Sequence, residues 1–179
     1  MNWYCDVASG HPVHGPYHDR EYGFPVQDES VLFERLALEI FQAGLSWLIV
    51  LKKRPALFQT FQGFSVDAVA GFGEEDVTRL LADPAIIRNR RKILAIIENA
   101  RRLKALRQSD GGFAAWLGRH HPRDKPEWVG LFKRQFVFMG GEVVGEFLMS
   151  VGLLPGAHAP HCPVSLALAA LEQYEGDKR

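Results

Sequence analysis

The run DESVLFERLALEIFQAGLSWLIVLKKR, residues 28–54, leaves this chain little freedom in how it folds. Leu32, Phe33, Leu36, Ile40 and Leu51 recur at helical spacing, and Asp28 or Ser30 stands where an N-cap belongs. Gly44 interrupts the run, because glycine costs a helix interior about 1 kcal/mol relative to alanine. The remaining segments have the same character. A short helix is expected over 55–61. SVDAVAGFGEEDVTRLLAD holds two more, split at Gly71–Gly73, and PAIIRNRRKILAIIENARRLKALRQ is a turn followed by helix, with apolar residues at 93, 96, 97, 100 and 103. SDGG is expected as a loop, FAAWLGRHH as a short helix, and HPRDKPEW as a proline-punctuated connection. GGEVVGEFLMSVGLL is either helix or buried strand, PVSLALAALEQYEGD is a last helix, and residues 1–27 are irregular. No period-two alternation is sustained anywhere. The expected fold is all-α, a compact array of short helices in one domain over 1–179. Hydrophobic residues make up 47% of the chain, enough for a core that needs no disulfide or metal to collapse.

No basic start or apolar run resembling a signal peptide opens the chain. The most apolar stretch, Leu36 to Leu51, is broken by Glu39, Gln42 and Ser46 and is too short and polar to span a bilayer. A cytoplasmic protein is expected, in which a Cys5–Cys162 disulfide is disfavoured. The formal net charge is zero, which argues against general attraction to nucleic acid or membrane. Basic residues are nonetheless concentrated, in LKKR at 51–54, RNRRK at 88–92 and the run through Arg119, Arg123, Lys125, Lys133 and Arg134. If these clusters meet in space, one face can hold phosphates; as isolated runs they are solvated helix faces.

Three groups of residues carry candidate chemistry. HAPHC at 158–162 contains a His-x3-Cys pair, His158 and Cys162, and Cys5 and His18 are available near the opposite terminus. Together they make a closed Cys2His2 set, which is a structural arrangement. Spacing alone favours buried thiols and surface histidines instead, since Cys5-x12-His18 is not a standard metal pair and His14 and His161 compete. Second, Glu34, Arg35, Glu39, Gln42 and Ser46 share one side of a helical wheel, which read plainly is a solvated face with Glu39 paired to Arg35. A sharper reading takes Glu39 with Gln42-Ala-Gly44-Leu45-Ser-Trp47. There a carboxylate reads a base edge, a tryptophan stacks, and Leu45 beside Gly44 is an exposed apolar tip that fills the gap left in the base stack. Third, DPAIIRNRRKI at 83–93 is a short turn before a basic helix start, which can present backbone N–H groups to a phosphate or be an ordinary connection.

These segments occur together, and in this order the chain resembles the 3-methyladenine DNA glycosylase I family of the helix–hairpin–helix glycosylases. YHDREYG and LALEIFQAGLSWLIVLKKR are similar to its two most recognisable blocks, IIRNRRKILAIIENAR to its hairpin and following helix, and HAPHC to the second half of its zinc site. The resemblance implies one structural zinc on Cys5, His18, His158 and Cys162, joining segments 1–27 and 152–179. It implies a base pocket of Tyr17, Glu39 and Trp47 with Tyr22 nearby, Glu39 serving recognition first and direct catalysis second. It also implies Gly44 and Leu45 at the gap left by a flipped base, with Arg88, Asn89, Arg90 and Arg91 at the DNA backbone. The implied activity is monofunctional hydrolysis of the N-glycosidic bond of 3-methyladenine in double-stranded DNA. No organic cofactor, membrane or lysine nucleophile enters, and the implied protein is a monomer.

The chain departs from the family pattern in places. Cys5 is followed by Asp6-Val7 where a tryptophan is usual, while Trp3 precedes it. Gly141-Glu142 and Gly145 replace a threonine pair and a tyrosine, and Ala85 replaces a hairpin glycine. A lesion-binding protein of the same fold, non-catalytic or of altered specificity, is the alternative these departures suggest. A zinc deaminase is not, because its His-x-Glu and Pro-Cys-x-x-Cys signature is absent.

Overall fold

The computed structural model describes residues 4–176; Trp3 lies outside them. Eleven α-helices follow one another, with no strand among the described residues: α1 (Tyr4–Ala8), α2 (His14–Arg20), α3 (Glu29–Gln42), α4 (Trp47–Thr60), α5 (Val66–Ala70), α6 (Glu74–Ala82), α7 (Arg90–Asp110), α8 (Phe113–His120), α9 (Lys125–Gln135), α10 (Gly141–Ser150) and α11 (Pro163–Gly176). The all-α expectation holds, and the ambiguous segment at 140–154 is helix.

Asp28 caps α3, its carboxylate accepting the Val31 N–H at 3.0 Å, and Ser46 caps α4 by accepting from Ile49. Between them Gly44 takes φ +80°, a left-handed conformation that side chains disfavour, so the break falls there. Expectations shift in four places, one of them HPRDKPEW, whose last four residues open α9 at Lys125 behind the Asp124 cap. Residues 55–61 are no separate helix: α4 runs through Pro55 to Thr60, because proline forfeits one N–H bond and the helix packs well enough to absorb it. The SDGG segment contributes its first two residues to α7, which ends at Gly111. Residues 4–27 are also more regular than expected, holding α1 and α2; helices this short are kept by tertiary contacts and leave little trace in sequence periodicity.

The predicted solvated face of α3 does not exist. Glu34, Arg35 and Glu39 are each at most 5% exposed, because α3 packs on α4, α5, α7, α8 and α10. The main core runs from Leu32 to Val151, with Phe33, Phe41, Phe61 and Phe64 near one part of α3. Phe113, Trp116, Trp128, Phe132 and Phe147 form a second aromatic cluster among α8, α9 and α10. Among the described residues, those before Leu32 contribute no buried side chain to that core; Cys5, Tyr17 and Tyr22 belong to two satellite clusters.

Candidate functional site

Both ends of the described chain meet at one point. Cys5 on α1, His18 on α2, His158 after α10 and Cys162 just before α11 are all buried, with one donor atom from each lying within 4.8 Å of all the others. The Cys5 Sγ–His158 Nδ1, Cys162 Sγ–His18 Nε2, Cys162 Sγ–His158 Nδ1 and His158 Nδ1–His18 Nε2 distances are 3.7, 3.7, 3.8 and 3.1 Å. A tetrahedral ion with ligand bonds of about 2.0–2.3 Å has edges of about 3.3–3.8 Å, close to these four separations. The rings are prepared for it. His158 Nε2 donates to the Tyr22 carbonyl at 2.7 Å, which leaves the Nδ1 lone pair facing the group. His18 Nδ1 donates to the Asp19 carboxylate at 2.7 Å, which leaves Nε2 facing it. Burial lowers the His158 pKa from 6.5, favouring the neutral ring, and burial raises that of the Cys5 thiol. His161 is exposed and His14 Nδ1 shares a hydrogen bond with the Tyr4 hydroxyl at 3.0 Å, so neither joins the group.

Beside this junction lies a cleft of about 710 Å³. Tyr17, Tyr22, Glu39, Gly44 and Trp47 all line it, as do Tyr4, Gln42, Glu142, Glu146 and Met149. Its aromatic side is continuous: the ring centroids of Tyr17 and Trp47 are 5.2 Å apart, of Tyr17 and Tyr22 5.8 Å, and of Tyr22 and Tyr4 5.4 Å. Behind Tyr17 a buried charge network holds the ring in place. Arg54 makes paired bonds to Glu34 and to Glu21, and Arg35 reaches Glu21, the Tyr17 hydroxyl and the Ser150 carbonyl. The expected Glu39–Arg35 pair is thus replaced by this network.

The electrostatics of the cleft are acidic, and among the described residues no Lys or Arg lines it. Burial drives the Glu39 pKa well above 4.5, and the nearby Glu146 carboxylate adds to that shift while Arg35 opposes it. Burial also raises Glu146, which accepts from the Tyr22 hydroxyl at 3.3 Å. Burial likewise pushes up the phenols of Tyr4, Tyr17 and Tyr22. Such a site favours a planar cation: aromatic faces attract it, and its charge relieves the cost of ionising one buried and one half-buried carboxylate.

Sequence reasoning missed Tyr4, Glu146 and Met149. Glu146 had a signal, since Glu142 and Glu146 are four apart and share a helix face. Tyr4 had none beyond adjacency to Cys5. The departures on α10 form one linked set. A Cβ on Gly145 would lie 2.7 Å from Lys125 Cε, so glycine leaves room for that lysine, whose Nζ is 3.6 Å from the Glu142 carboxylate at the rim.

The other expected DNA contacts are partly engaged within the protein. Leu45 is half-buried against the core rather than a free tip, and Gln42 Nε2 donates to its carbonyl at 3.0 Å. Arg88 is exposed at the α6–α7 connection. Asn89 caps α7 by accepting the Lys92 N–H, Arg90 pairs with Glu74 at 2.8 Å, and the Arg91 guanidinium lies over the Phe138 ring.

In fold the chain is similar to DNA glycosylases of known structure. A crystal structure of 3-methyladenine DNA glycosylase I matches with a TM-score of 0.79 at 35% identity, over 89% of this chain and 97% of that one. A 3-methyladenine DNA glycosylase I from Staphylococcus aureus, a protein that recognises 3-methyladenine, matches with a TM-score of 0.78 at 32% identity over 90% and 95%. DNA-3-methyladenine glycosylase 1 of Escherichia coli strain K12 is 37% identical over 169 residues, covering 84% of this chain and 90% of its own. The profile of the Methyladenine glycosylase family matches residues 7–128, and the chain belongs to that family.

Proposed function

We propose that this protein is a DNA repair glycosylase that hydrolyses the N-glycosidic bond of 3-methyladenine in alkylated double-stranded DNA. The observation that carries the reading is buried Glu39 in an aromatic, acidic cleft, in a chain related throughout most of its length to 3-methyladenine glycosylases. An N3-alkylated adenine nucleotide is a cation and already a good leaving group. Tyr17, Trp47 and Tyr22 stack around the extruded base, and Glu39 reads its edge and stabilises its charge. The C1′–N bond breaks with its electron pair going to the base, which leaves neutral; water oxygen joins C1′ and one proton is released. Excision is monofunctional: Lys92, the buried lysine, lines no part of the cleft, and its ammonium is tied to backbone carbonyls.

The Cys5, His18, His158, Cys162 group suits zinc, through its two thiols, two oriented imidazoles and tetrahedral edges. Four protein ligands leave no open position, so the ion supplies a cross-link between the ends of a single domain over 1–179. The Gly44–Leu45 turn lies at the gap left by the flipped base, with Leu45 held half-buried against the core. The α6–α7 pair acts as the helix–hairpin–helix element, with Arg88, Asn89, Arg90 and Arg91 toward the backbone. The protein acts as a monomer in the cytoplasm; no helix among the described residues is long and apolar enough to cross a membrane.

Glu142 and Glu146 favour one second reading, a lesion-binding protein of altered specificity, because they add negative charge to the cleft. Base release from methylated duplex DNA, with products separated by chromatography, tests both. Free 3-methyladenine without strand cleavage is expected. Lesion binding without release by folded, metal-loaded protein would favour the second reading.

A further inference from the structure

Two lysines from the basic runs do not face solvent as phosphate ligands should. Lys53, on α4, directs its Nζ to three successive carbonyls of the α6–α7 connection: Pro84 at 3.2 Å, Ala85 at 3.2 Å and Ile86 at 3.5 Å. An ammonium has three N–H donors, and all three are engaged. Lys92, in the first turn of α7, is 6% exposed and runs the opposite way. Its Nζ donates to the Phe41 carbonyl at 2.7 Å and to that of Ala43, at the end of α3 where helix carbonyls lack intrahelical partners.

The two contacts are reciprocal. The helix after the Gln42–Ser46 turn reaches the α6–α7 connection, and the helix after that connection reaches back to the residues before the turn. Each segment is thereby pinned from the far side of the other. We infer that Lys53 and Lys92 form a double brace that holds the Gly44–Leu45 turn in register with the α6–α7 connection, making them positioning residues for DNA engagement and not phosphate contacts. The inference rests on the proposed function only in taking these two segments as the DNA-facing ones.

The physical case is specific to both positions. Losing Lys92 strands two carbonyls beside Gly44, whose φ of +80° needs a fixed predecessor. Losing Lys53 frees three carbonyls in a connection otherwise held, among the described residues, by Ile86 and Ile87 in the core and by two polar caps, Asp83 to the Ala85 N–H and Asn89 to the Lys92 N–H. Neither lysine lines the cleft, but Ala43, which Lys92 holds, and Gly44 beside it do, so Lys53 separates duplex binding from base binding and Lys92 acts on both.

Salt dependence separates the roles. A residue that neutralises a phosphate contributes about 0.9 to the slope of log affinity against log salt concentration; a positioning residue contributes none. Lys53→Met and Lys92→Met would be titrated with methylated duplex over a salt series, and separately with free 3-methyladenine. Expected are a loss of duplex affinity of about tenfold or more at each position, an unchanged salt slope, and, for Lys53→Met, free-base affinity within about twofold of wild type. Lys53→Arg, which keeps the donors, should recover most of the loss. A slope smaller by about 0.9 would make the residue a phosphate contact and overturn the inference. So would unchanged duplex affinity, or, for Lys53→Met, an equal loss of free-base binding. If Lys92→Met does not fold, the half-buried Lys53 carries the test alone. Failure of the wild type to release 3-methyladenine bears on the proposed function only, because the duplex comparison is independent of base release.

Discussion

Arg54 offers the most direct test of how the cleft is built. Its Nε and Nη2 bond Glu34 at 2.7 and 3.2 Å, and its Nη1 and Nη2 bond Glu21 at 2.9 and 2.8 Å. The Glu34 side chain is 7% exposed, that of Glu21 33%. Arg54→Met leaves Glu34 as an unpaired buried carboxylate, and breaking such a pair costs about 3–5 kcal/mol. The Glu21 pair is partly solvated and adds at most about 1 kcal/mol. For a chain of this size the total of about 3–6 kcal/mol corresponds to a fall in Tm of roughly 6–24 °C. Arg54→Met combined with Glu34→Leu should recover most of the loss, because replacing a whole buried pair by apolar groups is nearly neutral. Thermal and urea unfolding of the wild type, both single variants and the double variant would measure this. Arg54→Met within about 1 kcal/mol of wild type, or a double variant no better than the single, would refute the reasoning. Acid behaviour gives a second handle. Burial works against the Glu21 carboxylate, but Arg54 and Arg35 outweigh it and hold its pKa below 4.5. That contribution is present above pH 4.5 and is lost as pH falls through the folded-state value, so the acid limb of stability should flatten in Arg54→Met. Base binding should weaken too, since the Arg54 and Arg35 guanidiniums lie 5.8 and 5.0 Å from the Tyr17 ring centroid.

Glu39→Gln should weaken binding of free 3-methyladenine far more than binding of undamaged DNA; equal losses would remove Glu39 from base recognition. Because burial raises the Glu39 pKa, ligand-free wild type should lose stability as pH rises above 4.5, a loss absent from Glu39→Gln and visible in urea midpoints at several pH values. Cys162→Ser should lower metal content and thermal stability together, and unchanged metal stoichiometry would refute its role as a ligand. Chelation should raise hydrogen exchange in α1 and α2 before the Leu32–Val151 core and abolish 3-methyladenine binding, because Tyr4, Tyr17 and Tyr22 ride on the metal-linked segment.

Local rules made much of this protein legible from sequence. Apolar spacing located the principal helices, a cap residue marked the start of α3, and Gly44 marked the break before Trp47, because these signals act within a turn or two of chain. The residue types needed for a cation pocket and a Cys2His2 group were also visible, although their spacing alone did not select the metal reading. Tertiary structure decided what each charged residue does. Glu34, Arg35 and Glu39 look like a solvated helix face until five neighbouring helices cover α3. The basic runs look like solvated helix faces, or phosphate ligands if they meet, until Lys53, Arg54 and Lys92 find carbonyls and carboxylates far away in sequence. Glu146 became a pocket residue only when α10 packed against α3 and brought it beside Glu39. Hydrophobic periodicity is a property of neighbouring residues, whereas the partner of a buried charge is set by long-range packing. Sequence therefore determined the helices and the chemistry available, and the fold determined which charges meet.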